Sequence, residues 1–128
     1  MDEVIARLLS SDEPSVRYKV LVNVLGYDDG SATSQQLRRE IKRSSRVQQL
    51  LSERDEAGQV PHHPYSKWVG GHWVLADLAD IGYPPGDETL IPLRERIYQW
   101  LFGQSHQKGI RTINGLVRRC ASQEGNAL

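Results

Sequence analysis

The feature of this sequence that most restricts its fold is an internal repeat. A run of six residues, Leu25 to Gly30, returns 56 residues later as Ile81 to Gly86. When 26–41 is aligned with 82–97, seven of sixteen positions are identical, whereas ordinary composition predicts about one. A repeat of this period is typical of stacked helical units, each of which buries its apolar face against a neighbour.

Hydrophobic periodicity predicts that each unit is an antiparallel pair of helices. Gly26 and Gly82 stand where the first helix of each pair is expected to end, because glycine readily adopts the left-handed conformation. Thr33 and Thr89 are the predicted N-caps of the second helices. The predicted helices are 2–10, 12–25, 33–54, 70–81 and 89–102, and within 33–54 Ser44 or Ser45 offers a fresh helix start.

Two segments without helical periodicity, 55–69 and 103–119, follow the helical pairs. Alternating residues around Asn114-Gly115 predict a small β-hairpin within 110–119, and we expect it to pack on helices, because an isolated hairpin is marginally stable. A third unit is expected to start near residue 120, since 124–128 aligns with 70–74.

The predicted fold class is therefore all-α, a single helical-repeat domain over 1–128. Its units would span about 12–58 and 69–109, with a truncated third unit from about 120. A repeat array that ends inside a unit exposes an apolar face. We therefore expect further C-terminal repeats after Leu128, or self-association that covers this face.

Composition argues against several functional classes. The 128 residues include 16 basic and 16 acidic side chains, and this balance argues against a nonspecific nucleic-acid-binding surface. The acidic N-terminus is unlike a signal peptide, and no apolar run is long enough to span a bilayer. A lone cysteine, Cys120, suits a reducing compartment. We expect a cytoplasmic protein with no membrane span and no nucleic-acid partner.

Three stretches of the chain resemble a known superfamily. The stretches QVPHHPYSKW (59–68), GHWVLADLADIGY (71–83) and RRCASQEGNAL (118–128) resemble parts of the α/α-toroid superfamily of terpenoid cyclases, including squalene cyclase, and protein prenyltransferases. The chain is most similar to the N-terminal part of bacterial prenyltransferase/squalene-oxidase repeat proteins. This resemblance implies a double ring of helices, with 70–82 and a helix near Ser122 inside and with 33–54 and 89–102 outside.

The chain departs from the catalytic members of that superfamily. Its only adjacent aspartates, Asp28-Asp29, lie in a predicted turn rather than in an acid motif of the cyclase type. Its histidines and its cysteine do not have the paired spacing of zinc ligands, so we predict no metal and no cofactor. The residues weighed as ligands were His62, His63, His72, His106 and Cys120.

The candidate ligand-binding residues combine aromatic and polar side chains beside two predicted helix N-termini. Aromatic walls with a few convergent polar groups are typical of sites for apolar ligands. The alternative is that Trp68 and Trp73 only clamp the segment 55–69 onto the helices. The candidates are Tyr65, Trp68, His72, Trp73, Arg119, Cys120 and Asn126.

Cys120 allows two interpretations. At a helix start beside two arginines its thiol pKa would be lowered, as in a nucleophile. Cysteine is, however, among the most commonly buried residue types, which favours an inert, packed thiol.

Three functions remain open on the sequence. The first is a non-catalytic toroid-type domain that binds an apolar, isoprenoid-like ligand or a protein partner. The second is a terpenoid cyclase or prenyltransferase whose catalytic residues lie in missing sequence or in a second copy. The third is a structural helical scaffold.

Overall fold

The computed structural model describes residues 2–127, and this part of the chain is mainly helical. It contains eight α-helices and one two-stranded antiparallel sheet, so the predicted helical character and the predicted hairpin are confirmed. The helices are α1 (Glu3–Leu9), α2 (Pro14–Lys19), α3 (Ala32–Arg43), α4 (Ser45–Leu50), α5 (Gly71–Asp80), α6 (Ile91–Leu101), α7 (Gln104–Gly109) and α8 (Ala121–Gly125), and the strands are β1 (Thr112–Ile113) and β2 (Leu116–Val117). A π-helical turn, Val20–Val24, continues α2, and a 3₁₀ turn, Glu88–Leu90, leads into α6.

The described residues form two compact units. The first contains the chain up to Ser52 together with Leu78–Gly86, and the second contains Glu53–Asp77 together with the chain from Asp87 onward. Helix α5 contributes residues to both units. Among residues 2–127, no helix has both the length and the apolar character that crossing a membrane requires.

The core of the first unit lies where α2 packs on α3, and the π-helical turn that continues α2 lies against α1. The apolar spacing of the two elements explains this packing, since Leu37 and Ile41 lie one turn apart on the same face of α3. The buried apolar residues of this unit are Tyr18, Val20, Leu21, Leu37, Ile41, Val47 and Leu78.

An ion pair and a glycine complete the first unit. The Arg38 guanidinium donates two hydrogen bonds to the Asp29 carboxylate, at 2.9 and 2.7 Å, and Tyr18 donates a third to Asp29 at 2.8 Å. Arg38 also donates to the carbonyl oxygens of Gly82 and Tyr83. A Cβ on Gly82, whose φ is 89°, would lie 2.7 Å from the Tyr18 ring, so glycine is required by both conformation and space.

The second unit has its core between α5, α6 and the segment that precedes α5. Gly71 lies directly against Leu93, where a Cβ would be 3.4 Å from a methyl carbon of that side chain. The preceding segment is tied to α6 because Gln59 donates to the Pro92 carbonyl and Arg96 donates to the Val60 carbonyl, both at 2.9 Å. The buried apolar residues of this unit are Val60, Val74, Leu93, Ile97 and Leu101.

The helix caps differ from the prediction in both units. Ser31, not Thr33, caps α3, because its hydroxyl accepts the backbone N–H of Ser34. Asp87, not Thr89, caps the 3₁₀ turn before α6. Since Ser31 and Asp87 are 56 residues apart, the capping position itself follows the repeat.

The segment after α6 differs from the prediction in two ways: it contains a helix that was not predicted, and its hairpin does not pack on helices. Helix α7 forms within 103–119 although its sequence, QSHQKG, has no apolar periodicity. The hairpin turns at Asn114-Gly115, whose φ angles of 51° and 76° suit a two-residue turn of type I′. All four strand residues are exposed, so the expected packing of the hairpin on helices was wrong.

Candidate functional site

Five aromatic side chains of the second unit are joined by ring contacts, and we call them the aromatic cluster: Tyr65, Trp68, His72, Trp73 and Trp100. The Tyr65 ring stacks on Trp100 with centroids 5.4 Å apart and planes at 13°. It meets His72 edge to face at 4.9 Å and lies 5.6 Å from Trp73. Four members of the cluster are predicted site residues that the structure brings together. Trp100 is the member that was not predicted.

The cluster forms because the segment before α5 folds tightly back onto the start of that helix. The His72 backbone N–H donates to the Pro64 carbonyl at 3.0 Å, which holds Tyr65 beside the first turn of α5. A Cβ on Gly70 would lie 2.5 Å from the carbonyl oxygens of His63 and Pro64. Only glycine at position 70 permits this close approach of backbone to backbone.

Trp68 is the exposed member of the cluster, with 63% of its surface accessible. Its ring lies 5.1 Å from the Trp73 ring, and the Lys67 ammonium lies 5.1 Å from its centroid. Its φ of 69° is in the left-handed region, which is unfavourable for a bulky side chain. The segment therefore holds a large aromatic surface in solvent in a strained backbone conformation.

His72 is the most buried member of the cluster, with 1% exposure. Neither of its ring nitrogens has a hydrogen-bond partner among residues 2–127, and the same holds for Trp73 Nε1. Burial lowers the pKa of His72 below its usual 6.5, because the imidazolium loses its hydration. The Ser122 backbone opposes this shift without reaching hydrogen-bonding geometry.

A short chain of hydrogen bonds connects the cluster to Cys120. The Tyr65 hydroxyl lies 3.0 Å from Ser122 Oγ, which in turn lies 3.3 Å from Cys120 Sγ. Cys120 is exposed, so the interpretation as a packed thiol was wrong. The hydrogen bond from Ser122 is the main cause that lowers the pKa of the Cys120 thiol.

Cys120 opens into a cleft of about 460 Å³, which we call the basic cleft. Three arginines line it, Arg111, Arg118 and Arg119, and its one carboxylate is Glu124. That carboxylate pairs with Arg119 at 2.7 Å. The predicted residues Arg119 and Cys120 thus lie in a polar cavity, next to the aromatic cluster rather than inside it.

Asn126 is the one candidate that stays outside both groups. It is exposed at the C-cap of α8, where its backbone N–H donates to the Ser122 carbonyl. Helix α8 has five residues and ends before Asn126, and Asn126 is not among the residues that line the basic cleft.

Sequence reasoning missed two kinds of site residue. Trp100 lies on α6, and helical spacing alone cannot show that its ring stacks on a tyrosine 35 positions earlier. Arg111 and Arg118 lie within the predicted hairpin, at 110–119, so the Asn114-Gly115 turn was the signal that could have paired them.

The described residues offer few groups for metal or acid–base chemistry. Between residues 2 and 127, no three or more His, Cys, Asp or Glu side chains come together in a way that could hold a metal ion. Of the adjacent histidines, His62 lies 2.6 Å from the Glu53 carboxylate and His63 meets the Trp100 ring edge to face. The arrangement is suited to binding through aromatic surface and guanidinium groups.

Comparison with known protein families, with curated proteins and with solved structures finds no match to this chain.

Proposed function

We propose that this chain is a non-catalytic helical-repeat domain of the α/α-toroid type that binds an apolar, isoprenoid-like ligand through its aromatic cluster. The observation that carries the proposal is Trp68, which is 63% exposed at a φ of 69°. An exposed indole forgoes the stabilisation that its burial would give, and a left-handed φ at a bulky residue costs about 1–3 kcal/mol of folding free energy. We infer that the segment holds Trp68 in this exposed and strained conformation because its ring forms a binding surface.

The cluster around Trp68 suits an apolar ligand with one hydrogen-bonding group. The Trp68 and Trp73 rings, with centroids 5.1 Å apart, form a tilted aromatic wall. The Trp73 indole N–H and both His72 ring nitrogens are buried without partners among the described residues. A ligand hydroxyl that reached one of these atoms would recover the hydrogen bond that the protein lacks.

Binding of farnesol, an isoprenoid alcohol, tests this proposal by equilibrium dialysis. We expect the wild-type protein to bind farnesol and Trp68→Ala to bind it about tenfold or more weakly, because exposed tryptophans commonly dominate binding energy. Phe102→Ala is the matched control, since Phe102 is 64% exposed and its ring contacts Tyr98 rather than the cluster. This control should bind as the wild-type protein does.

Two results would contradict the proposal. One is a wild-type protein that takes up no farnesol, and the other is equal binding by Trp68→Ala and wild type. Because Trp68 is exposed, we expect its substitution to leave a folded protein, which circular dichroism can verify.

A further inference from the structure

We propose that the basic cleft is a second binding site, which takes a small organic phosphate monoester between Arg111 and Arg118. This site does not depend on the apolar ligand proposed for the aromatic cluster. Its argument rests on the pairing of the two arginines, on their uncompensated charge and on the size of the cavity.

The hairpin places the two arginines directly opposite each other. The register pairs Thr112 with Val117 and Ile113 with Leu116, and the Arg118 N–H donates to the Arg111 carbonyl at 2.8 Å as the next rung. Side chains that are directly opposite in an antiparallel pair lie on the same face with Cβ atoms roughly 5 Å apart. Both side chains line the cleft.

Two like charges in this position destabilise a hairpin unless something neutralises them. Across residues 2–127, neither the Arg111 nor the Arg118 guanidinium has a hydrogen-bond or ion-pair partner. The acidic residue of the cleft, Glu124, already pairs with Arg119 at 2.7 Å. The cleft therefore keeps two uncompensated positive charges, which an anion would neutralise.

The geometry favours a phosphate monoester over other anions. A phosphate monoester carries close to two negative charges at neutral pH and three acceptor oxygens, so one group can bridge two guanidinium forks. A carboxylate has one charge and two oxygens and matches a single guanidinium. The cleft volume of about 460 Å³ lies in the range of small-molecule sites and far exceeds one phosphate ion. The rest of the cavity is therefore available to the organic part of the ligand.

Isothermal titration calorimetry of the full chain with phenyl phosphate tests this site. We expect binding to the wild-type protein, with phenol as the uncharged control ligand that does not bind. Arg111→Gln and Arg118→Gln should each weaken phenyl phosphate about tenfold, the equivalent of one lost charge-assisted hydrogen bond. Arg43→Gln is the matched control, because Arg43 is also an exposed arginine but lies in the first unit.

A thermal unfolding measurement separates this role from a purely structural one. In phosphate-free buffer, Arg118→Thr should melt above the wild-type protein, because it removes the cross-strand repulsion. At the same concentration, phenyl phosphate should raise the melting temperature of the wild-type protein by more than that of Arg118→Thr.

Three results would overturn the proposal. The first is a wild-type protein that does not bind phenyl phosphate. The second is unchanged affinity in both cleft variants. The third is equal affinity for inorganic phosphate and for phenyl phosphate, which would show that the organic part of the ligand contributes nothing to binding. Trp68→Ala should leave phenyl phosphate binding unchanged, so the failure of one site is distinguishable from the failure of the other.

Discussion

At the scale of single residues, His72 is a buried polar group that destabilises the folded second unit. It is 1% exposed, and both of its ring nitrogens are without a hydrogen bond among the described residues. A buried polar group without a partner costs on the order of 1–3 kcal/mol of folding free energy. The folded protein also disfavours the charged imidazolium, which lowers the pKa of His72.

This shift predicts how stability depends on pH. At a pH below 6.5, the usual pKa of a histidine side chain, His72 binds a proton more readily in the unfolded chain than in the folded protein. The free energy of unfolding should therefore be highest above about pH 6.5 and should fall as the pH drops towards 5. Urea unfolding of the wild-type protein and of His72→Leu between pH 7.5 and 5 measures this contribution.

The leucine variant should show a smaller loss of stability over this pH range, because it has no imidazole to protonate. Equal pH dependence in the two proteins would show that His72 is not buried as described.

At the scale of elements, the helix caps show where sequence reasoning succeeds and where it fails. The position of α3 followed from apolar spacing, because Leu37 and Ile41 face the same core. The caps did not, since Ser31, Thr33 and Ser34 are all suitable residue types within four positions. Only the backbone conformation selects one, and Ser31 has the extended φ and ψ of a cap.

Two substitutions separate the observed cap from the predicted one. Ser31→Ala should lower the free energy of unfolding by about 1 kcal/mol, because the Ser34 N–H loses its acceptor. Thr33→Ala should change it by less than about 0.5 kcal/mol, because Thr33 is exposed inside the helix. Urea unfolding gives both values, and a larger effect at Thr33 than at Ser31 would restore the cap that the sequence predicted.

At the scale of the whole molecule, the periodicity predicted the mainly helical character and the hairpin signal predicted the sheet. Gly26 and Gly82 both end helical segments with positive φ, at 70° and 89°, because the same stop recurs after 56 residues. The aromatic cluster was predicted in part, since Tyr65 and Trp73 are close in sequence. The basic cleft was not predicted, because it depends on the cross-strand pairing that places Arg111 opposite Arg118.

Binding by the aromatic cluster is the central claim, and the three tryptophan indoles test it most directly. In ¹H–¹⁵N spectra of the full chain, each indole N–H gives one resonance, assigned through Trp68→Phe, Trp73→Phe and Trp100→Phe. Farnesol should shift the resonances of Trp68 and Trp73 most, because their rings form the aromatic wall proposed for the ligand. Spectra in which neither resonance moves at saturating farnesol would contradict the claim.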